Sequence, residues 1–191
     1  MNLIAVVLAA GAASRFGGDK LGAALDGKPL LFHAIEAARA APVSRLIVIA
    51  RDGIETGSWP ANPPVETLIV KSSALSQSLK VGIAAARRYG AQGLFVFLGD
   101  MPRIPHDLAG RLAACLGDSW AVAPRHEGRP GHPVLFSPRA FPLLDALEGD
   151  AGAGKLLRER ADIAWLDCPD PAITLDVDYS DDLVRLSGGA D

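Results

Sequence analysis

The sequence predicts an α/β fold, a three-layer α/β/α arrangement around a mostly parallel, doubly wound sheet of Rossmann-like type. Two observations lead to this class. Short runs rich in Val, Ile, Leu and Phe alternate with longer amphipathic runs. The short runs are apolar on both faces, which is typical of parallel strands buried between two layers of helices.

The elements follow in chain order. Apolar runs predict strands over residues 3–8, 46–50, 67–70 and 94–98, and helical spacing predicts helices over residues 30–41 and 76–89. The second half predicts strands over residues 120–123 and 133–136, with helices over residues 108–116 and 139–147. No internal repeat, low-complexity tract or linker interrupts the chain, so we expect a single domain over residues 1–191.

Composition and charge exclude several classes of protein. The chain has 49% hydrophobic and 21% charged residues, as an ordinary globular protein does, and its net charge of −3 offers no basic face for nucleic acid. Cys115 and Cys168 lie far apart without CxxC spacing, so neither a zinc site nor a disulfide framework is indicated. No apolar stretch approaches the roughly 18 residues that cross a bilayer. We expect a cytoplasmic protein with neither nucleic acid nor membrane as a partner.

Three polar, glycine-bearing segments fall at or near the ends of predicted elements. They are LAAGAASRFGGDK (residues 8–20), GDMP (residues 99–102) and LDVDYSDDL (residues 175–183). In an open α/β sheet, ligands bind beyond the carboxyl ends of the strands. The sequence therefore predicts that the three segments converge on one site at that edge.

The first of these segments matches neither common phosphate-binding loop. It lacks GxxxxGK[ST], because Lys20 is followed by Leu21, and it lacks GxGxxG, because Ala13 stands two residues after Gly11. Its residue types nevertheless suit a triphosphate. Small residues let the backbone approach a ligand, and Arg15 and Lys20 supply positive charge. A flexible loop with two solvated cations is the alternative.

Five motifs in order resemble those of the MobA-like NTP transferase family, which includes the nucleotidyltransferases that handle molybdenum cofactor. LAAGAASRFGGDK resembles the family's L-A-A-G-x-x-S-R-F-G-x-x-K, and GDMP resembles its metal-binding G-D-x-P. GRPGHPVLF (residues 128–136), GDAGAGKLL (residues 149–157) and LDVDYSDDL resemble G-x-P-G-H-P-V-L-F, G-D-x-G-A-R-x-L-L and L-D-I-D-T-P-E-D-L. The likeness covers nearly the whole chain.

The resemblance implies an Mg²⁺-dependent enzyme that moves CMP from CTP to the terminal phosphate of molybdopterin and releases pyrophosphate. The partners implied are CTP and molybdopterin, and a client molybdoenzyme is one that the resemblance allows. The implied catalytic residues are Arg15, Lys20 and Asp100. The implied nucleotide-binding residues are Leu8, Ala9, Ala10, Gly11, Ser14, Arg15, Lys20, Ser76 and Ser78. The acceptor would contact Arg129, Gly131 and His132, and the metal would be held by Asp100 and Asp178.

The choice of CTP depends on one position. The resemblance suggests that guanylyl-transferring relatives carry Gly-Gly where this chain has Ala10-Gly11, and that cytidylyl-transferring relatives carry Ala-Gly. A β-carbon at position 10 would crowd a purine and leave room for a pyrimidine. The segment KSSALSQSLKVGI (residues 71–83), which holds Ser76 and Ser78, resembles the family's G-M-S-x-S-L-x-x-G. The chain departs from the family pattern at three places: Ala74-Leu75 replaces Gly-Met in this segment, Tyr179-Ser180 replaces Thr-Pro, and Lys155 replaces Arg.

Several residues admit a second interpretation. Asp176 could replace Asp178 as the second metal ligand, because residues two apart on an extended segment face the same side, with Val177 pointing into the core. Asp181 or Asp182 is expected to cap the final helix. Asp100 and Ser76 could instead cap nearby helices. His132 could pack against Trp120, and Arg129 could be a solvated loop residue. Lys155 is a further candidate anion contact.

Two rival functions remain open at this stage. One is a cytidylyl- or uridylyltransferase acting on a sugar or polyol phosphate, against which only GHPVLF and GDAGAGKLL argue. The other is a non-catalytic factor that binds the cofactor and passes it to a molybdoenzyme. A pure binder has no need of Arg15, Lys20, Asp100 and Asp178 together, so we favour the enzyme.

Overall fold

The computed structural model describes residues 1–11, 15–72, 74–149 and 152–187. The strands are β1 (Leu3–Ala9), β2 (Ala24–Leu25), β3 (Lys28–Pro29), β4 (Arg45–Ala50), β5 (Val65–Ile69), β6 (Gly93–Leu98), β7 (Ala121–His126), β8 (Arg129–Pro130), β9 (Val134–Phe136) and β10 (Ile163–Asp167). The helices are α1 (Leu30–Arg39), α2 (Leu75–Arg88), α3 (Leu108–Ala114), α4 (Phe141–Asp145), α5 (Gly154–Glu159) and α6 (Ser180–Ser187).

The main sheet has the strand order β10-β7-β9-β6-β1-β4-β5, with β8 paired to β7. Strand β1 pairs in parallel with β4 and with β6, and β4 pairs in parallel with β5. Strand β9 is antiparallel to β6 and β7, and β8 is antiparallel to β7. The predicted mostly parallel, doubly wound sheet is confirmed. Because β1 lies inside the sheet, the loop that follows it emerges between the ends of β4 and β6.

Alternate residues of β1 enter two separate cores. Leu3, Ala5 and Val7 pack in the core that α1 and α3 cover. Ile4, Val6 and Leu8 pack in the core that α2, α4 and α5 cover. A strand buried on both faces requires helices on both sides, so the three-layer prediction is confirmed.

The predicted elements differ from the observed ones mainly at their ends. Strand β5 begins two residues before the predicted residue 67, and α1 and α3 each end two residues early. The helix predicted over residues 139–147 is a 3₁₀ turn, Pro138–Ala140, followed by α4. Pro142 at the second position of α4 has no N–H to donate to the preceding turn, which favours this break.

A small hairpin shapes the chain between the first loop and α1. Strands β2 and β3 are antiparallel and are joined by Asp26 and Gly27, whose φ angles are 51° and 77°. Two central residues with positive φ are characteristic of a tight hairpin turn, and Asp-Gly is a favoured pair for it. The hairpin buries Leu25 in a third small core with Leu30 and Val177. The C-terminal segment is thereby held against the chain that leads out of the first loop.

Within the described residues, no helix combines the length and the apolar character needed to cross a membrane.

Candidate active site

A cavity of about 230 Å³ lies at the carboxyl ends of β1 and β6. Its walls come from the last residues of β1, the loop that follows, the start of α2 and the segment after β6. The lining residues are Leu8, Ala9, Ala10, Gly11, Lys20, Leu21, Leu75, Ser78, Leu98 and Asp100. Most of the residues that the resemblance assigns to the nucleotide therefore lie around one cavity.

A buried lysine joins the three polar segments. The Lys20 side chain is only 10% exposed, and its Nζ donates to Asp100 Oδ2 at 2.8 Å and to Asp178 Oδ1 at 3.4 Å. Asp178 Oδ2 accepts a second bond from Arg15 Nη1 at 2.8 Å. A buried ammonium is costly unless it is paired, and here two carboxylates pair with it. The network brings the first loop, the GDMP segment and the C-terminal segment together.

The position of Asp178 is fixed by its neighbours. Val177 is fully buried, and its N–H donates to the Asp100 carbonyl at 3.0 Å. Asp182 Oδ2 accepts from the N–H groups of Asp178 at 3.0 Å and Tyr179 at 2.8 Å, and these bonds hold the pKa of Asp182 below its usual value. The expectation that Val177 enters the core is confirmed. The expectation that Asp181 or Asp182 caps the last helix is wrong: both residues lie inside the first turn of α6, and the Asp182 carboxylate binds N–H groups of the two residues before the helix.

The two candidate second carboxylates differ in environment. Asp178 is bound directly by Lys20 and Arg15. Asp176 has a raised pKa, because partial burial disfavours its charge and the carboxylates of Asp100 and Asp178 repel it. The geometry therefore favours Asp178 as the partner of Asp100, with Asp176 adding negative potential nearby.

The donor set fits a hard divalent cation that also binds a substrate. In the described ranges, no group of three or more His, Cys, Asp or Glu side chains is arranged to hold a metal ion. Asp100 and Asp178 nevertheless bind one ammonium group between them, so their oxygens converge on a point that accommodates positive charge. Mg²⁺ is commonly held by one or two carboxylates plus substrate phosphates.

A second cavity, of about 210 Å³, borders the first and shares Leu8, Leu75 and Leu98 with it. Gly131 and His132 line this cavity. The backbone N–H of His132 donates to the Ile173 carbonyl at 2.9 Å, and its ring Nδ1 lies 3.5 Å from the Val96 carbonyl. Burial lowers the pKa of the imidazole, which favours its neutral form.

Both capping alternatives are wrong. Helix α2 begins at Leu75 with Ala74 as its N-cap, so Ser76 lies inside the first turn, where its N–H donates to the Gly149 carbonyl at 3.1 Å. The Ser76 hydroxyl is buried without a hydrogen-bond partner in the described structure. Helix α3 begins only at Leu108, too far along the chain for Asp100 to be its N-cap. The Asp100 carboxylate binds Lys20 instead.

The remaining expected residues are placed as follows. Arg129 is exposed on β8, opposite His126. Trp120 packs edge-on against Phe136. The Lys155 side chain is 77% exposed, and its Nζ lies 3.8 Å from Glu159 Oε1. Lys155 is not among the residues that line the two cavities. Ser14 lies outside the described residues.

Some cavity and loop residues were not expected from the sequence. Leu75 and Leu98 separate the two cavities, and Arg158 lines the second. Arg51, the first residue after β4, donates from Nη2 to the Gly11 carbonyl at 3.3 Å. Arg51 could have been predicted near the site, because it follows a strand that pairs with β1. No motif in the sequence marks Arg158.

Comparison with known proteins agrees with this geometry. The model of the family described as "MobA-like NTP transferase domain" matches residues 5–163. The chain is 29% identical over 166 residues to purine catabolism protein PucB of Bacillus subtilis, covering 82% of this chain and 80% of that protein. It is 36% identical over 106 residues to a probable molybdenum cofactor guanylyltransferase of Thermococcus sibiricus, covering 53% and 50%.

A solved structure extends the likeness to the whole chain. The crystal structure of Rv0371c from Mycobacterium tuberculosis H37Rv, complexed with manganese, superposes with a TM-score of 0.83 at 27% identity. The superposition covers all of both chains, at 100% of each. That protein therefore binds a divalent metal on the same fold.

Proposed function

The chain belongs to the MobA-like NTP transferase domain family and is a nucleotidyltransferase, and we propose that it transfers CMP from CTP to the terminal phosphate of molybdopterin. An oxygen of the acceptor phosphate attacks the α-phosphorus of CTP. The new P–O bond forms as the bond to the bridging oxygen breaks, and the electron pair leaves with pyrophosphate. An ionised phosphate is already a nucleophile, so the reaction asks for positioning and charge neutralisation more than for a base.

The network of Lys20, Asp100, Asp178 and Arg15 is the observation that carries this proposal. Lys20 extends into the cavity that the first loop encloses, where its ammonium can bind phosphate oxygens. Arg15 is largely exposed beside it, with 66% of its side chain accessible, and can engage a second phosphate. Both groups stabilise negative charge that grows in the transition state.

Asp100 and Asp178 are the residues that would hold Mg²⁺, and the bound ion would neutralise charge on the reacting phosphates. The manganese complex of Rv0371c supports a divalent metal in this family of folds. Asp100 and Lys20 line the nucleotide cavity, and Asp178 binds the same Lys20 ammonium, which supports the assignment of both carboxylates as ligands shared with a triphosphate.

Ala10 supports CTP as the nucleotide. It lines the nucleotide cavity, where a β-carbon narrows the space beside the backbone. A purine needs more room here than a pyrimidine. At Gly11, in contrast, no atom of the described residues other than its chain neighbours lies within 4 Å of the point where a β-carbon would lie.

Arg129, Gly131 and His132 are proposed to face the acceptor. Gly131 and His132 line the second cavity, directly beside the nucleotide cavity. An acceptor bound there would present its phosphate towards Lys20 across the shared residues Leu8 and Leu98.

Pyrophosphate release from the purified protein tests the proposal. The assay pairs CTP or GTP with molybdopterin, or with a polyol phosphate such as ribitol 5-phosphate, in the presence of Mg²⁺. We expect release with CTP and molybdopterin. Release only with the polyol phosphate would establish the rival transferase, release only with GTP would overturn the base assignment, and binding without release would indicate a carrier.

A further inference from the structure

Helix α6 is attached to the rest of the protein by few contacts. None of its eight residues, all of which the structure describes, is fully buried. Its side chains Leu183 and Leu186 pack against the third small core. Among the described residues, the only hydrogen bond between α6 and a residue outside 178–187 comes from Arg103. Arg103 therefore provides the polar attachment of this helix.

Arg103 follows the GDMP segment directly, and its guanidinium joins two other segments. One nitrogen, Nη2, donates to Asp26 Oδ2 at 2.7 Å and to the Leu186 carbonyl at 2.8 Å. Asp26 lies in the turn of the β2–β3 hairpin, and Leu186 lies in the last turn of α6. The last carbonyls of a helix lack partners within the helix, and a cation is favourable there. Arg103 thus binds the end of α6 and fastens it to the hairpin.

The three segments that meet at Arg103 are also those that carry the ion network of the site. Lys20 comes shortly before the hairpin, Asp100 belongs to the GDMP segment, and Asp178 comes just before α6. Asp182, in the first turn of α6, accepts a hydrogen bond from the N–H of Asp178 at 3.0 Å. Asp178 is thereby fixed to the start of the helix whose end Arg103 holds. A shift of α6 would move Asp178 relative to Asp100.

Asp178 needs this support most when a nucleotide is bound. Its carboxylate is 37% exposed and is bound by Arg15 and Lys20, the two cations that the proposed function directs to phosphates. Once they bind phosphates, the backbone of Asp178 and the position of α6 must keep its carboxylate in place. The Arg103–Asp26 pair is itself 33% and 44% exposed. Exposed ion pairs add little to global stability, so its effect should be local.

We propose that Arg103 is a positioning residue that clamps the end of α6 to the β2–β3 hairpin and thereby holds Asp178 beside Asp100. Arg103 is not among the residues that line either cavity, so it acts through Asp178 and not on a ligand. The inference rests on the proposed function, because that function makes Asp178 a ligand of Mg²⁺. It adds a residue that controls how tightly the metal is held.

Amide hydrogen exchange of the full chain, followed by NMR, measures this positioning without nucleotide, metal or turnover. The reporter is the N–H of Val177, a fully buried residue whose N–H donates to the Asp100 carbonyl at 3.0 Å. The variants are Arg103→Ala, Arg103→Lys and Asp26→Asn. Asn tolerates the φ of 51° that Asp26 adopts, so the last variant removes charge without disturbing the turn.

Arg160→Ala is the matched control. Arg160 lies between α5 and β10, outside the three segments, and binds Asp162 at 2.8 Å. Its side chain is 30% exposed, close to the 33% of Arg103, so the two alanine variants remove similar ion pairs. Their urea midpoints should therefore shift by similar small amounts.

We expect Arg103→Ala to speed exchange at the Val177 N–H about tenfold, because opening of a segment costs less when its attachment is lost. Arg103→Lys should speed it less, since one ammonium can donate to both acceptors, and Asp26→Asn should also speed it less, since the bond to Leu186 remains. Arg160→Ala should leave it unchanged. Unchanged exchange in Arg103→Ala, or equal acceleration in the control, would overturn the inference.

Turnover provides the second measurement. In Arg103→Ala the Mg²⁺ concentration that gives half-maximal pyrophosphate release should rise about tenfold, while the KM for CTP changes by less than about twofold. Arg103→Lys should restore part of the loss. Should Arg103→Ala fail to fold, Arg103→Lys and Asp26→Asn decide the question by the same two measurements.

The outcome separates this inference from the proposed function. CMP transfer to molybdopterin with the same Mg²⁺ dependence in the wild type and in Arg103→Ala would remove the inference and leave the function. Faster Val177 exchange in Arg103→Ala, with no pyrophosphate release from any nucleoside triphosphate in the wild type, would remove the function and leave Arg103 as the residue that positions Asp178.

Discussion

The two cavities share Leu8, Leu75 and Leu98 but differ in the chemistry of their walls. The first is closed by an ion network in which Lys20 binds two carboxylates and Arg15 binds one of them. The second is an apolar cleft with one neutral imidazole and one cation at its rim. Charges from segments distant in sequence dominate the first, whereas apolar side chains dominate the second. Substitutions in the first should change turnover most, and those in the second should change stability and acceptor choice.

The largest effect is expected at Asp100. Asp100→Asn removes one of the two carboxylates that would hold Mg²⁺, so kcat should fall by roughly a thousandfold. Lys20 keeps its bond to Asp178, so the free energy of unfolding should change by no more than about 1–2 kcal/mol. Steady-state pyrophosphate release and urea denaturation measure the two quantities. A near-wild-type rate with Mg²⁺ would show that Asp100 is no metal ligand.

Lys20→Ala should lower kcat by about a hundredfold and raise the KM for CTP much less, because its ammonium matters most as charge develops on the phosphates. Lys28→Ala is the control, since Lys28 forms an exposed ion pair with Glu36 at 2.8 Å. Kinetics over a range of CTP concentrations separate the two parameters. A raised KM with unchanged kcat would restrict Lys20 to ground-state binding.

Each cavity is lined by a glycine, and alanine substitutions at the two are expected to change stability by different amounts. A β-carbon at Gly131 would lie 2.5 Å from the Ile173 carbonyl oxygen, so Gly131→Ala should lower the free energy of unfolding by about 1–3 kcal/mol. Among the described residues other than its chain neighbours, no atom lies within 4 Å of the β-carbon position of Gly11, so Gly11→Ala should change the free energy of unfolding by less than about 0.5 kcal/mol while raising the KM for CTP. Urea denaturation and nucleotide titration distinguish the two. Equal stability losses would remove the contrast.

A smaller effect is expected at Ala10. Ala10→Gly opens space for a purine but supplies no hydrogen bonds to guanine, so use of GTP relative to CTP should rise by less than about tenfold and should not overtake CTP. Competition between equal concentrations of the two nucleotides measures the ratio. Equal use by the wild type, or an unchanged ratio in the variant, would exclude position 10 from base choice.

The smallest effect concerns pH. Burial lowers the pKa of His132, so the unfolded chain binds a proton more readily than the folded protein does. The contribution of His132 to stability should be complete above the unfolded pKa of about 6.5 and decline as the pH falls below it. In denaturation series from about pH 7 to about pH 5, His132→Asn should lose less stability than the wild type. Identical declines in both proteins would mean that other groups cause the pH dependence.

The sequence allowed the fold and the charged site to be predicted for physical reasons. Strand β1 is apolar on both faces, which requires a covered sheet, and polar segments after buried strands must emerge at one edge. The pairing of Lys20 with Asp100 could be anticipated only as proximity, because the two are 80 residues apart in sequence. The choice between Asp176 and Asp178 needed the structure, since alternation puts both on one side of an extended segment.

The apolar cavity was much less predictable. Arg158 belongs to no motif, and the lysine that the motif does mark points to Glu159 in the solvent. Which residue of a short helix faces a cavity depends on the rotation of that helix against its neighbours, and six residues carry too little periodicity to fix it. Capping of α2 by Ser76 was also wrong, because helix ends shift by a residue or two with tertiary packing.

By itself the sequence determined the layered α/β class, the edge of the sheet where the polar segments converge and the charged residue types available there. These follow from local apolar patterning and from the rule that parallel strands end together. Only the tertiary structure decided that Asp178 rather than Asp176 binds Lys20, that Asp182 rather than Asp181 binds the N–H groups just before α6, and that Arg158 rather than Lys155 lines the second cavity. Each of these choices separates neighbours in sequence, and neighbours are distinguished only by the direction in which packing points their side chains.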